Sequence, residues 1–186
     1  QEEANETITK AEKVLAQLEI RMEVTERLSE MCEEAGVALL LNPAPAAELP
    51  ERLLKRVTYL TPNEKELEKI SGMRVRNGEE AKRAAEALVK RGVKNVIATM
   101  GSRGALISNG EGSEAIAGYK VTAVDTVAAG DSFNGALAYG ITKGKSLRES
   151  VKIANAVGAL TVTKKGAVPS LPYLREVLDF LKTVSC

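Results

Sequence analysis

Two patterns of apolar residues alternate along the chain. Short, mostly apolar runs at Val14–Leu18, Val37–Leu41, Val57–Leu60 and Val96–Thr99 read as strands, and Val37–Leu41 has the continuous character of a parallel strand covered on both faces. Between them apolar residues recur at helical spacing. Val24, Leu28, Met31, Cys32 and Ala35 share one face of a helix over 22–35, which Gly36 ends. Asn42-Pro-Ala-Pro45 breaks the second strand, and a short helix over 49–55 follows. Thr61-Pro-Asn-Glu64 is a turn opening a helix through Ile70, closed by Gly72. A helix over 79–91 buries Ala81, Ala84, Ala85 and Leu88 and stops at Gly92.

The later pattern is denser in glycine. Gly101-Ser-Arg-Gly104 reads as a turn, with Ala105–Ser108 returning as a strand. Ala115–Gly118 and Tyr119–Val124 read as a further strand pair. Helices are expected over 133–142 and 147–163, then an irregular loop over 164–170, then a terminal helix burying Leu174, Val177, Leu178 and Leu181. Strands alternating with helices predict an α/β fold, with a mostly parallel sheet and right-handed crossovers. Residues 1–13 are polar and read as flexible or loosely helical, leaving 14–186 as one domain.

Composition narrows the function classes. A chain of 186 residues is long enough for a sizeable core. A formal net charge of +1 gives no electrostatic case for nucleic acid or a membrane surface as partner. No apolar run reaches bilayer length, and no signal peptide is visible. Cys32 and Cys186 lie too far apart for a metal spacing and form no disulfide framework, which fits a reducing cytoplasm. Histidine is absent. That excludes His-based triads and most zinc sites, and leaves carboxylates as the general bases.

The stretch from Val124 to Gly135 carries the densest candidate chemistry. The β-branched run Val121–Val124 reads as a strand end feeding a turn of small residues and then a helix. Asp125 and Asp131 lie six residues apart, with Ala128, Ala129 and Gly130 between them. A small-residue turn at a helix N-terminus offers unpaired N–H groups and the positive end of the helix dipole to an anion. Asp131 there is either a helix cap or a general base beside a phosphate cradle. Asn63 and Glu66, three apart, have the spacing of a capping box. Lys164 and Lys165 read as a phosphate clamp or as cations at a helix C-terminus.

Asp125-Thr-Val-Ala-Ala-Gly-Asp-Ser-Phe-Asn-Gly135 resembles the C-terminal signature of the PfkB (ribokinase) family of sugar and nucleoside kinases. Gln17-Leu-Glu19, Leu41-Asn-Pro-Ala-Pro45, Thr61-Pro-Asn-Glu64, Thr99-Met-Gly-Ser-Arg-Gly104 and Thr163-Lys-Lys-Gly-Ala-Val-Pro-Ser170 follow the family's order and spacing. The resemblance implies a Rossmann-like three-layer α/β/α fold, truncated at its N-terminus relative to the family. Asp131 then becomes the base, and the backbone of Ala128, Ala129 and Gly130 an anion hole. Asn63, Thr99, Gly101, Ser102, Arg103, Gly104, Gly130, Asp131 and Asn155 become ATP contacts. Glu19 and Asp131 become sugar contacts, and Glu66 a carboxylate ordering Mg²⁺ through water. Asp125, Val127, Thr161, Lys164, Gly166 and Ser170 match the family's potassium ligands, mostly through carbonyl oxygens. The local alternatives stay open: a strand-end acid at Glu19, a turn acid at Asp125, a buried loop-capping amide at Asn155.

The activity so implied is transfer of phosphoryl from ATP to the primary hydroxyl of ribose. The alternatives are a nucleotide-binding module without the sugar half, or an inactive fragment. An open sheet edge predicts a homodimer or a complementing N-terminal chain.

Overall fold

The computed structural model describes residues 2–184; Gln1, Ser185 and Cys186 lie outside it, and the unpaired reading of Cys186 with them. Six strands form one sheet in the order β1 (Lys13–Gln17), β2 (Ala38–Asn42), β3 (Tyr59–Leu60), β4 (Asn95–Thr99), β5 (Gly104–Asn109) and β6 (Gly112–Ala117). The first three pairings are parallel, with Leu15 opposite Leu40, Leu41 opposite Leu60 and Tyr59 opposite Asn95. The whole is a three-layer α/β architecture with a mostly parallel sheet. By internal packing the chain divides into two compact units. The first runs to residue 99 and includes 106–114; the second comprises 100–105 and the chain from 115 onward.

The first unit's core explains its strands. Leu39, Leu40 and Leu41 are consecutive and all buried, so both faces of β2 are covered. Val96, Ile97 and Ala98 repeat that arrangement in β4. Helix α2 (Met22–Ala35) packs on β2 and on α3 (Glu51–Arg56), and α5 (Gly78–Lys90) packs on β4 and on α4 (Glu64–Ser71). Ala81, Ala84, Ala85 and Leu88 are fully buried on α5, as the spacing predicts. Gly36 ends α2 in the left-handed region at φ 67°, where glycine carries no Cβ penalty. Helix α1 (Glu2–Thr9) occupies the polar N-terminal stretch and packs on α2, burying Ile8.

The second unit is built on α6 (Ala129–Thr142) packed against α7 (Leu147–Thr161), with α8 (Leu174–Val184) on α7. Gly140 lets α6 and α7 approach: a Cβ there would lie 2.7 Å from the Ser150 hydroxyl oxygen. Three expectations are corrected here. No strand forms over 119–124; Val124 and Asp125 instead donate their N–H groups to the carbonyl of Val162, and Val124 is exposed. The β-branched run there is apolar without being buried, so propensity alone does not make a strand. Helix α6 starts at Ala129 rather than 133, which places the small residues in its first turn. On α8, Val177 is buried and Phe180 meets Tyr119 edge-on at 5.3 Å, whereas Leu174 and Leu178 are exposed.

Candidate functional site

The second unit brings the signature residues to the N-terminus of α6. Ala128 is the N-cap and has φ 61°, the one non-glycine residue at positive φ among the described residues. Such a backbone costs about 1–2 kcal/mol in an alanine and turns the chain sharply into the helix. Ala129 N–H reaches the Thr126 carbonyl at 3.3 Å, and the first i→i−4 bond of the helix is Ser132 N–H to the Ala128 carbonyl at 2.9 Å. The amide of Gly130 comes before that bond, in the first turn of the helix, where N–H groups have no i→i−4 carbonyl. Gly130 does not sit at positive φ, and a Cβ built on it meets no atom within 4 Å. Neither backbone geometry nor packing requires glycine there. A close approach by something outside the protein would. Asp131 is exposed in the same turn, a position that the helix dipole favours for an acid.

Around that turn, residues far apart in sequence are joined. Asp125 accepts the amide hydrogens of Gly166 at 2.9 Å and Val127 at 3.1 Å, and these bonds hold its carboxyl below the usual carboxylate range. Val162 O takes both Val124 and Asp125 N–H, and Lys164 N–H donates to Thr161 O at 3.2 Å. The Thr161 hydroxyl donates to Ser132 Oγ at 3.0 Å. Gly166 has φ 88°, and Ser170 is buried with its hydroxyl on the Ala167 carbonyl at 2.6 Å. Asp125, Val127, Thr161, Lys164, Gly166 and Ser170 thus belong to one stitched pair of loops rich in carbonyl oxygens. That donor set suits a hard monovalent cation. Lys164 has its ammonium on Glu176 at 2.9 Å, which favours the helix-end reading over a phosphate clamp.

Asn155 is buried, and its amide nitrogen donates to the carbonyls of Ile116 and Ala117, each at 3.2 Å. Both amide hydrogens therefore serve the end of β6, as the loop-capping alternative requires. Gly101, Ser102 and Arg103 form an exposed 3-10 turn closed by Met100 N–H on Gly104 O at 2.8 Å. Gly104 is obligatory: φ is 96°, and a Cβ would lie 2.1 Å from the Ile116 carbonyl oxygen.

In the first unit the polar residues gather at the C-terminal ends of the parallel strands, where open α/β sheets hold their ligands. Gln17 at the end of β1 donates to Asn42 Oδ1 at 3.2 Å, and Asn42 at the end of β2 donates to Thr61 O at 3.0 Å. This chain joins three of the sequence motifs across separations of 25 and 19 residues. The sequence marks Gln17, Asn42 and Thr61 as members of the family's motifs without giving each its own role; their signal is a polar residue closing or following an apolar strand run. Glu19, two residues past Gln17, is exposed. Asn63 caps α4, with a bridge to Thr99 at the end of β4. Its backbone and side-chain N–H groups donate to the Glu66 carboxylate at 2.8 and 2.7 Å, and its Oδ1 accepts Glu66 N–H at 3.0 Å. Burial pushes the Glu66 carboxyl up, against these hydrogen bonds. Among the described residues no cluster of three acid or thiol side chains stands ready to ligate a metal directly. A lone buried carboxylate such as Glu66 fits a divalent ion held chiefly by phosphates and water.

An α/β protein with a polar rim at its strand ends and a helix N-terminus for an anion belongs to a broad class. The comparisons give the particular family. A model of the pfkB family carbohydrate kinases matches residues 2–174. The chain is 37% identical over 175 residues to a ribokinase of Haemophilus influenzae, covering 94% of this chain and 57% of that protein. It is 34% identical over 179 residues to a deoxyribokinase of Salmonella typhi, covering 96% of this chain and 58% of that one. The structure of Arabidopsis thaliana ribokinase complexed with ribose and ATP superposes with a TM-score of 0.93 at 32% identity, over 98% of this chain and 59% of that one. This chain therefore belongs to the pfkB family of carbohydrate kinases. It spans somewhat more than half the length of these relatives. Among the described residues no helix is long and apolar enough to cross a membrane.

Proposed function

We propose that the chain carries the phosphoryl-transfer machinery of an ATP-dependent sugar kinase of ribokinase type, working in the cytoplasm. The observation that carries this reading is the first turn of α6. It combines an αL alanine at Ala128, a glycine at 130 that the fold does not need, and an exposed acid at Asp131. Asp131 takes the proton from the primary hydroxyl of ribose. The hydroxyl oxygen then forms a bond to the γ-phosphorus of ATP, the bond to the β-phosphate oxygen breaks, and ADP and ribose 5-phosphate leave. The amides at Ala128, Ala129 and Gly130 receive the charge that builds on the transferring oxygens. On the first unit, Asn63 and Thr99 contact the nucleotide, Glu66 orders the waters of Mg²⁺, and Glu19 meets the sugar. On the second, Gly101, Ser102, Arg103 and Gly104 contact the nucleotide, and Asn155 holds the end of β6 beside them. Bound at Glu66 through water, Mg²⁺ would neutralise phosphate charge, and the loops of Asp125, Val127, Thr161, Lys164, Gly166 and Ser170 would hold a K⁺ that steadies the anion hole.

Both a ribokinase and a deoxyribokinase are among the relatives; the 2-hydroxyl is the group that separates their substrates. β1 is an edge strand with Leu15 exposed, which supports association with a second chain along that edge. The deciding experiment titrates Mg-ATP into the chain in potassium buffer, then assays ADP release with ribose and with 2-deoxyribose. Ribose-dependent release supports the kinase reading. Saturable ATP binding with no release under either sugar supports a nucleotide-binding module in its place.

A further inference from the structure

The polar rim of the first unit holds a side chain bonded to the strands on both sides of its own. Gln17 and Asn42 are directly opposite in the parallel register of β1 and β2. The Gln17 side-chain nitrogen donates to Asn42 Oδ1 at 3.2 Å, and Asn42 Nδ2 donates to Thr61 O at 3.0 Å. Asn42 is 8% exposed and Thr61 2%. The amide thus turns its acceptor towards β1 and its donor towards the end of β3.

The backbone explains one of these bonds and not the other. Thr61 N–H donates to Leu41 O at 3.0 Å. In an evenly spaced parallel ladder the next rung would run from residue 43 to Thr61 O. Residue 43 is proline and has no N–H, so Asn42 Nδ2 supplies the missing donor. That need is met without Gln17. The main chain beyond β1 is tied separately, by Leu18 N–H to Ala44 O at 2.9 Å. The Gln17 bond to Asn42 therefore adds a second constraint, across strand ends that the ladder already holds.

The two bonds lie between two groups of proposed substrate contacts. Glu19 stands two residues beyond Gln17, and Asn63 two beyond Thr61. Strands β1 and β3 are separated by β2, so Glu19 and Asn63 leave strands about 10 Å apart. The Asn63 turn is fixed in its own place by Thr99 N–H on Pro62 O at 2.9 Å and by the bridge of Asn63 to Thr99. In-line transfer needs the reacting atoms about 3–3.5 Å apart and aligned. A link that sets one strand end against another two strands away acts on that alignment.

We propose that Asn42, together with Gln17, is a positioning residue that sets the sugar-side acid Glu19 against the nucleotide-side turn at Asn63. The proposal rests on the kinase reading. Asn42 acts through Gln17 and Thr61 and touches neither substrate, so kcat is what it sustains, not the affinity for sugar or ATP.

Steady-state ADP release tests it, with whichever of ribose and 2-deoxyribose the wild type turns over. The chains compared are wild type, Gln17→Met, Asn42→Leu and the double variant, each checked for folding by circular dichroism. Gln17→Met should lower kcat about tenfold with both KM values kept within about threefold, and Asn42→Leu should lower it about ten- to hundredfold. The double variant should lose no more than Asn42→Leu alone, because either change breaks the same link. An Asn42 that does no more than satisfy Thr61 O would leave Gln17→Met with the kcat of wild type, since that variant keeps the donor. Should Asn42→Leu lose the fold, Gln17→Met carries the test by its split between kcat and KM. An active wild type whose Gln17→Met variant keeps full kcat, or loses only in KM for the sugar, overturns the proposal and leaves the kinase reading standing. So does a double variant in which the two losses multiply. A wild type that releases no ADP with either sugar removes the kinase reading and this proposal with it.

Discussion

Asp125 and Gly166 are hydrogen-bonded at 2.9 Å across 41 residues of chain, and that bond ties the turn before α6 to the loop after α7. Removing the acceptor leaves the amides of Gly166 and Val127 without it and frees both loops. If these loops hold potassium, the wild-type chain melts at a higher temperature in potassium chloride than in choline chloride. We expect Asp125→Ala to lower the melting temperature in both salts and to erase the difference between them. A variant that keeps the full potassium effect takes Asp125 out of the cation site.

Asp131 is exposed, so its replacement should spare the fold. Loss of a positioned general base costs about 10²–10⁴-fold in rate. Asp131→Asn should therefore cut ribose-dependent ADP release by that range, with Mg-ATP affinity kept within a few fold. Undiminished release by the variant removes the base role.

Glu66 and Glu80 should shape acid stability in opposite directions. Hydrogen bonds from the Arg76 side chain, then from its backbone N–H, bring Glu80 down from about 4.5 to about 2. The unfolded chain then binds a proton more readily, so Glu80 stabilises the fold above pH 4.5 and that contribution is lost as pH falls towards 2. Burial pushes Glu66 above 4.5, so its folded form holds the proton more tightly. Its contribution is fully present below pH 4.5 and is lost as pH rises through the raised value. Urea unfolding from pH 2 to 7 checks both. Relative to wild type, Glu80→Gln should lose most stability at the neutral end, and Glu66→Gln should do relatively better there than at low pH. Parallel pH profiles for all three proteins would refute the assignment.

Asn155 separates structure from recognition. Its amide satisfies two carbonyls at the end of β6, and leaving buried acceptors unpaired costs about 1–3 kcal/mol. Asn155→Ala should lose that much stability in denaturant unfolding. Because both amide hydrogens are committed, ATP affinity measured where the variant is folded should change by less than about tenfold, equivalent to about 1.4 kcal/mol. A larger loss would assign Asn155 to the adenine.

The outcome for α2 and α5 shows what the chain made legible. Helix α2 spans Met22–Ala35 as its spacing predicts, and α5 starts and ends within one residue of expectation. On α5 the buried stripe is the one its spacing predicts, whereas α2 keeps Met31 and Cys32 inside but exposes Val24 and buries Thr25, Glu26 and Ser29, which apolar periodicity does not reveal. Helix α8 gathers its apolar residues on one wide face, of which Val177 is buried while Leu174 and Leu178 are exposed, and periodicity alone does not say how much of such a face is covered. The Val121–Val124 run failed for the converse reason: its partner is a carbonyl at the end of α7, which no local pattern encodes. At the site, the local capping box of Asn63 and Glu66 follows from a three-residue spacing and forms as expected. The links of Gln17 to Asn42 and Asp125 to Gly166 depend on which strand or loop ends the fold brings together. The motifs showed which residues matter there but not how they bond.

Two glycines give the sharpest separation of fold from function. Gly104 sits at φ 96° with a Cβ position 2.1 Å from a backbone carbonyl oxygen, so Gly104→Ala must move β6 or its own turn. The strained backbone alone costs about 1–3 kcal/mol, and the clash adds to it. Gly130 has neither constraint. Alanine there should leave stability unchanged or raise it by up to about 1 kcal/mol, because it restricts the unfolded chain and favours the helix. The same methyl group would stand where the proposed phosphate approaches the α6 amides. Gly130→Ala should therefore fold as well as wild type in denaturant unfolding, yet bind Mg-ATP more weakly or turn it over more slowly by at least about tenfold, since a small misplacement at the reacting centre is costly. A stable Gly130→Ala chain with unchanged binding and turnover would show that no ligand makes a close approach to this turn. The anion cradle would then have to lie elsewhere on the second unit.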